Sequence, residues 1–401
     1  MAEGNRGHRR ELTDSRAGHW SETFLVLKSL LLENFRCYER GEFAFPPGLS
    51  VVLGPNASGK TSLLEAVYLL ATTTSPRAAN LRNLVRRDQP YARITGLFDR
   101  GGRELSIRVT LPGTGAAPAQ AADAVAAKTV EVDGRPVGTL REAVGRAQAV
   151  FFWVGELEVV QGGPLARRRF LNAALGQLSR RYLDDLARYR RALRQRNRLL
   201  RELAEGGGDG ARLAPWTGAL VEAGAAICAD RAAYVASLAE QAGPLHARLA
   251  AGAESLEVAY RPSVGLDGDE EAVAQAFHER LAERHAQELR QAATVVGPHR
   301  DDVALSIGGV DLRRFGSQGQ QRTAALALKL AQAQVARRRV ETGPILLLDD
   351  CLSELDVDRA RALLELSGDH EQMIVTSASC PEPLSARLEN AHVIELPAAQ
   401  Q

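Results

Sequence analysis

Residues 54–61, GPNASGKT, fit the spacing G-x-x-x-x-G-K-[S/T]. Glycine at both positions lets backbone N–H groups turn inward around phosphate oxygens. Lys60 adds a point charge for the β- and γ-phosphates, and Thr61 a hydroxyl for Mg2+. The apolar run LSVVL precedes the loop and TSLLEAVYLLA follows it. The loop is therefore expected to join a buried strand to a helix whose N-terminus carries partial positive charge. Gly54, Pro55, Asn56, Ala57, Ser58, Gly59, Lys60, Thr61 and Ser62 are the expected nucleotide-binding residues, with ATP and Mg2+ as ligands.

A second apolar run, PILLLDD (344–350), ends in two carboxylates. Strands of parallel sheets present functional groups at their C-terminal ends. Asp349 is the expected Mg2+ ligand and Asp350 the residue that orients or deprotonates the attacking water. Residues 62–348 separate these carboxylates from the loop, so the halves of one nucleotide site must fold back onto a shared sheet.

A third segment, FGSQGQQR (315–322), opens the helical run TAALALKLAQAQVA. Ser317 and Gln320 fit a capping box. Gly319 then falls in the first helical turn, where glycine is about 1 kcal/mol worse than alanine. Cap and phosphate ligand are both open to Ser317 on these residues alone.

The elements that must position these groups follow from the pattern. The chain has 401 residues, 45% hydrophobic and 25% charged, with a formal net charge of +1. That suits a globular protein of two or three domains and leaves any nucleic-acid surface to a local patch. The cysteines, Cys37, Cys228, Cys351 and Cys380, form no CxxC pair, which points to a reducing cytoplasm and away from zinc. No apolar run reaches the ~18 residues of a membrane span. Residues 1–23 are polar and aperiodic and are expected to be a disordered extension. Residues 24–160 read as strands around the 54–61 loop, interrupted by the Ala/Gly/Pro-rich surface loop PGTGAAPAQAADAVAA. Residues 161–293 read as a helical arm that begins, after Pro164, with a long proline-free helical stretch. Residues 294–401 return to the sheet. The arm is rich in arginine. Arg180, Arg181, Arg190, Arg191 and Arg194 are the candidates for gripping DNA phosphates, against the alternative of a solvated helix face. Arg168 and Arg169 are alternative braces between lobes. The triplet His299-Arg300-Asp301 resembles a kinase catalytic loop, but Ser306 stands where that loop needs asparagine.

Taken in order, the phosphate loop, Ser317-Gln318-Gly319-Gln320 as a variant of the LSGGQ signature, and LLLDD followed by Ser353-Glu354-Leu355-Asp356 resemble an ABC-type ATPase head. NFRCYE near the start, GGPLARRRFLN (162–172) and VGPHRDD (296–302) narrow the resemblance, over roughly 24–395, to the RecF family of SMC-like ATPases. The resemblance implies an α/β fold: a P-loop ATPase head with a mixed sheet and a β-rich lobe, plus an inserted helical arm. It implies an ATP-dependent homodimer in which Ser317, Gly319 and Gln320 face the ATP of the partner molecule, with Asp356 in the D-loop and Arg36 near the nucleotide. Glu156, with Gln161 as alternative, takes the place of the metal-touching Q-loop glutamine. Thr376 or Ser377 takes the place of the switch histidine. It further implies weak DNA-dependent ATP hydrolysis, slowed by Asp350 being one methylene shorter than the usual glutamate. Double-stranded or gapped DNA, RecO and RecR are the implied partners in recombinational repair and recombinase loading, near the nucleoid. An ABC-type ATPase subunit of a transporter or of another SMC-like complex is the rival reading, the transporter opposed by the large arm and the absent switch histidine. An ATPase–nuclease would need an acidic domain beyond the head, and a dead ATP scaffold would not need Lys60, Asp349, Asp350 and Ser317 together.

Overall fold

The structure is a computed structural model that describes residues 24–398 apart from 79, 115–126, 208, 253, 341–342 and 369. The expected N-terminal extension, and most of the Ala/Gly/Pro-rich loop, lie outside the described residues. The chain opens with strands β1 (Leu25–Phe35), β2 (Tyr38–Ala44) and β3 (Gly48–Leu53), then helix α1 (Lys60–Thr72). Strands β4 (Tyr91–Arg100), β5 (Arg103–Pro112), β6 (Thr129–Val132), β7 (Arg135–Pro136) and β8 (Ala149–Phe152) follow. The helical segment holds α2 (Glu158–Gln161), α3 (Pro164–Leu178), α4 (Arg180–Ala204), α5 (Ala214–Leu249), β9 (Leu256–Arg261) and α6 (Glu270–Gln291). The C-terminal segment comprises β10 (Asp302–Ile307), β11 (Val310–Asp311), α7 (Leu312–Phe315), α8 (Gln318–Arg339), β12 (Ile345–Asp349), α9 (Val357–Ser367), β13 (Gln372–Ser377), α10 (Glu382–Ser385) and β14 (His392–Glu395).

The expected mixed sheet is divided among three sheets. Five parallel strands run in the order β14-β3-β13-β12-β8, six antiparallel strands in the order β2-β1-β4-β5-β6-β7, and three in the order β11-β10-β9. The inner parallel strands are mostly apolar because both faces are covered, whereas the edge strand β14 is largely exposed. Alternate residues serve two cores. Val51, Val150, Phe152, Leu346, Leu348 and Val375 join the cluster beneath the helices. Val52, Ala149, Phe151, Ile345, Leu347 and Ile374 join the cluster shared with α1 and the antiparallel sheet. Gln372, buried, stitches the sheets together: its side chain donates to Leu27 O (2.9 Å) and accepts from Leu27 N (2.8 Å).

The long helical stretch after Pro164 is two helices. Ser179 adopts an extended conformation (φ −141, ψ 114); its N–H closes α3 onto Leu175 O, and its hydroxyl accepts from Tyr182 N at 3.1 Å to open α4. A serine that satisfies an exposed amide of a new helix competes with continuing the old one. Within the segment expected as a helical arm, β9 pairs antiparallel with β10, from Asp302↔Arg261 to Ile307↔Leu256. The arm helices and the C-terminal segment also share one apolar cluster.

Buried polar groups fasten that junction. Arg167 forms a two-pronged pair with Asp302 (2.6 and 3.0 Å) and Arg168 donates to Asp301 O (2.7 Å), whereas Arg169 is exposed and braces nothing among the described residues. Asp301, 1% exposed, accepts from Ser263 N and from the Tyr260 hydroxyl, and Arg231 lies 3.5 Å away. His299 donates through Nε2 to Thr294 O, since a carbonyl only accepts, so its Nδ1 accepts from Tyr189 OH (2.6 Å). Burial pushes the His299 pKa down to about 4, keeping the ring neutral. The HRD triplet is therefore a structural knot, in agreement with rejecting a kinase loop.

Candidate functional site

Four strand ends meet along one edge of the parallel sheet. The register sets Ser377 beside Leu53, Asp349 beside Thr376, and Leu348 beside Phe152. β13 thus lies between the strand that feeds the 54–61 loop and the strand that ends in Asp349, so residues far apart in sequence converge.

The loop itself is shaped by glycine where glycine is needed. Gly59 has φ +101, a left-handed conformation that L side chains rarely adopt, and it starts α1. A Cβ on Gly54 would lie 2.8 Å from Ser58 Oγ and 2.9 Å from Leu396 O. Pro55, Asn56 and Ala57 are exposed, while Lys60 is buried and its ammonium donates to Gly54 O (2.6 Å) and Pro55 O (2.8 Å). Ser62 lies half-buried in the first turn of α1. Thr61 Oγ1 donates to Asp349 Oδ1 at 3.0 Å, and Thr376 Oγ1 donates to the same oxygen at 2.8 Å. Burial pushes the Asp349 carboxyl above its usual range, opposed by those two hydroxyls and by Arg77. Asp350 sits half-buried at φ 50; its N–H donates to Thr376, and its carboxylate accepts from Ser353 Oγ at 3.2 Å.

These residues fit a nucleotide with its metal. The hydroxyl oxygens of Ser58 and Ser377 are buried without a hydrogen-bond partner among the described residues, although Ser377 O takes the Gly54 amide (3.4 Å). Buried hydroxyls of this kind are costly unless something supplies a partner. Among the described residues no group of three or more His, Cys, Asp or Glu could hold a metal ion. Mg2+ characteristically takes one or two carboxylates plus substrate phosphates, which Thr61 and Asp349 suit. Of the two switch-histidine candidates, Thr376 contacts Asp349 and Asp350; Ser377 does not.

Other expected residues make no hydrogen bond to Thr61 or Asp349 among the described residues. Glu156 pairs with buried Lys329 on α8 at 2.9 Å. Gln161 donates to Gln321 on the same helix. Neither hydrogen-bonds Thr61 or Asp349 among the described residues. Arg36 grips Glu65 through two hydrogen bonds (3.0 and 3.1 Å), one turn along α1 from Thr61. Glu65 is fully buried and also takes Ser75 Oγ and, at 3.8 Å, Arg77. Sequence reasoning missed Glu65, although a carboxylate inside the apolar run TSLLEAVYLLA is a signal for a buried charge with a partner.

The capping box is present. Gln320 N donates to Ser317 Oγ (3.2 Å), and Ser317 N donates to Gln320 Oε1 (2.9 Å). Gln320 Nε2 continues to Glu254 Oε1 (2.7 Å), a contact with the loop between α5 and β9 that spacing could not reveal. Asp356 caps α9 by accepting from Arg359 N. A Cβ on Gly319 would meet nothing closer than Arg359 Nη1 at 3.6 Å. No hydrogen bond joins Ser317, Gly319 or Gln320 to the 54–61 loop of the same chain among the described residues.

On α4, Arg180, Arg190, Arg191 and Arg194 are exposed and make no ion pair or hydrogen bond among the described residues. Arg181 is engaged with Glu270 and Asp185. Arg196 is buried and holds Glu288 through Nη1 and Nη2 (2.8 and 2.6 Å).

The family model for the RecF/RecN/SMC N-terminal domain matches residues 26–382. The chain is 38% identical over 371 residues to the DNA replication and repair protein RecF of Roseiflexus castenholzii, covering 88% of this chain and 93% of that one. It is 38% identical over 375 residues to the protein of the same name from Chloroflexus aurantiacus, covering 90% and 95%. A solved structure of the recombination mediator protein RecF with ATP, from the RecFOR pathway, superposes with a TM-score of 0.81 at 30% identity, covering 91% and 95%. An Smc head domain from Pyrococcus furiosus shares the fold at a TM-score of 0.53 and 15% identity. The chain belongs to the RecF family of SMC-like ABC-type ATPase heads.

Proposed function

We propose that the chain is an ATP-dependent DNA-binding switch of recombinational repair, closing as a homodimer on duplex or gapped DNA and reopening on slow ATP hydrolysis. The observation that carries the reading is a separation. One chain holds a phosphate cradle at its strand ends and, elsewhere, a signature helix whose capped N-terminus and open Gly319 make no hydrogen bond to that cradle among the described residues. A second copy supplies what each half lacks. Lys60 and the loop amides bind phosphate oxygens, Thr61 and Asp349 hold Mg2+, and Ser317 donates to the γ-phosphate across the interface with the helix dipole assisting. Mg2+, when bound, neutralises charge on the phosphates. Asp350 takes a proton from the attacking water. The exposed arginines of α4 grip DNA phosphates without reading sequence. RecO and RecR are the proposed partners, and the cytoplasm, near the nucleoid, the proposed location. No helix among the described residues is long and apolar enough to cross a membrane.

The test is sedimentation velocity of Asp350→Asn with ATP and Mg2+, with and without gapped duplex DNA, alongside Asp350→Asn/Ser317→Arg. The expected result is an ATP-dependent dimer that binds DNA and that Ser317→Arg abolishes. A monomer at every ATP concentration refutes the shared site. A dimer indifferent to DNA refutes the DNA role while leaving the ATPase head.

A further inference from the structure

A third buried hydroxyl without a partner lies at the phosphate loop, and it comes from the other sheet. Tyr38 opens β2, and its OH is buried with no hydrogen-bond partner among the described residues. A Cβ built on Gly59 would lie 2.7 Å from that oxygen and 2.8 Å from Cys37 Sγ. The bare Cα of Gly59 and the tyrosine hydroxyl are therefore fitted to one another, at the residue whose left-handed turn opens α1 toward phosphate. The hairpin turn that carries Tyr38 is held fast. Phe35 pairs with Tyr38 across it. Arg36 N donates to Leu84 O (2.8 Å), and the Arg36 guanidinium holds Glu65 on α1. The Tyr38 ring packs edge-on against Phe43 with centroids 5.6 Å apart. Burial pushes the hydroxyl pKa up, with Cys37 adding to it, so the group is a donor at neutral pH.

We infer that Tyr38 is a nucleotide-binding residue whose hydroxyl donates to an α- or β-phosphate oxygen. This deepens the reading of the loop as an ATP cradle and rests on it. The assignment to the inner phosphates follows from the side of approach. Thr61 and Asp349, the metal end of the cradle, are joined on the parallel sheet. Tyr38 arrives from the antiparallel sheet, against Gly59. The β1–β2 turn then becomes a nucleotide-sensing contact between that sheet and the loop, with Arg36 fixing the turn.

The test is titration of fluorescent ATP and ADP analogues into wild type, Tyr38→Phe and Lys60→Ala, with the melting temperature of each ligand-free protein. Tyr38→Phe keeps the ring and its packing on Phe43. The expected result is a roughly tenfold loss of affinity for ATP and ADP alike, with an unchanged or higher melting temperature. Wild-type affinity in Tyr38→Phe together with lost affinity in Lys60→Ala overturns the role of Tyr38 and leaves the cradle intact. Wild-type affinity in both variants overturns the cradle as well. A loss confined to ATP overturns the inner-phosphate contact. A melting temperature several degrees lower in Tyr38→Phe overturns the inference in favour of a structural hydroxyl.

Discussion

Replacing Gly319 by alanine removes nothing from the chain's own packing. The added methyl would lie 3.6 Å from Arg359 Nη1 and 3.9 Å from Ser317 Oγ, both ordinary contacts, and the residue's backbone is not left-handed. In a helix the exchange is worth about 0.5–1 kcal/mol in alanine's favour. The lower end applies in a first turn, so the isolated subunit gains about 0.5 kcal/mol, or roughly 0.6 °C for a chain of 401 residues. The effect on the ATP-bound dimer is opposite. If the amides around Gly319 approach a γ-phosphate, the methyl occupies that approach. Each site then loses at least one hydrogen bond to a charged group, about 1.5–3 kcal/mol. Two equivalent sites make the loss at least ~3 kcal/mol, more than a hundredfold in dimer Kd. Differential scanning fluorimetry reads the first effect, and sedimentation velocity with ATP in the Asp350→Asn background reads the second. A Gly319→Ala protein that dimerises like its parent refutes the reasoning, because nothing would then approach that backbone.

Three other outcomes are expected. Asp349→Asn should raise the melting temperature of nucleotide-free protein at pH 7. The folded carboxyl titrates above its unfolded value, so its stabilising contribution is complete below about pH 4 and is lost as pH rises through the folded value. The gain should vanish near pH 4, and a lower melting temperature at pH 7 counts against it. Arg196→Met should cost about 3–5 kcal/mol in urea unfolding, because it strands Glu288 fully buried, and Arg196→Met/Glu288→Leu should recover much of that; an equally unstable double variant contradicts this. Arg190, Arg191 and Arg194 changed together to glutamate should weaken DNA binding and flatten its salt dependence by up to about three phosphate contacts, with ATP affinity unchanged. An unaltered salt slope would make α4 a solvated face.

The features of the site that rest on local backbone rules are legible from residues alone. Glycine at 59 frees the loop backbone to turn inward, Ser317 and Gln320 fit a capping box, and PILLLDD reads as a strand; the structure has Gly59 left-handed, the box formed and the strand buried. What spacing does not resolve is competition between partners. Arginine at a helix position reads the same whether it faces solvent, as Arg190 does, or a buried carboxylate, as Arg196 does. Glu156 stands out by its position after β8, but the cation it pairs with, Lys329, lies on a helix that begins beyond residue 317. Gln320 looks like half of a capping box and is also the near end of a contact with Glu254. Ser179 is inconspicuous because its helix-breaking effect comes from a hydrogen bond to Tyr182, not from proline or glycine.

The placement of β3 has a consequence for how the molecule is made. Its two neighbours in the parallel sheet are β13 and β14, and both lie beyond residue 371. While the ribosome is still producing the first 371 residues, the strand feeding the phosphate loop has no edge to pair with. Asp349 and Thr376, which complete the cluster around Thr61, also emerge late. Such distant pairing slows folding and leaves an apolar strand exposed in the nascent chain. A chain that stalls before Gln372 has the entire GPNASGKT segment and no strand to hold it in place.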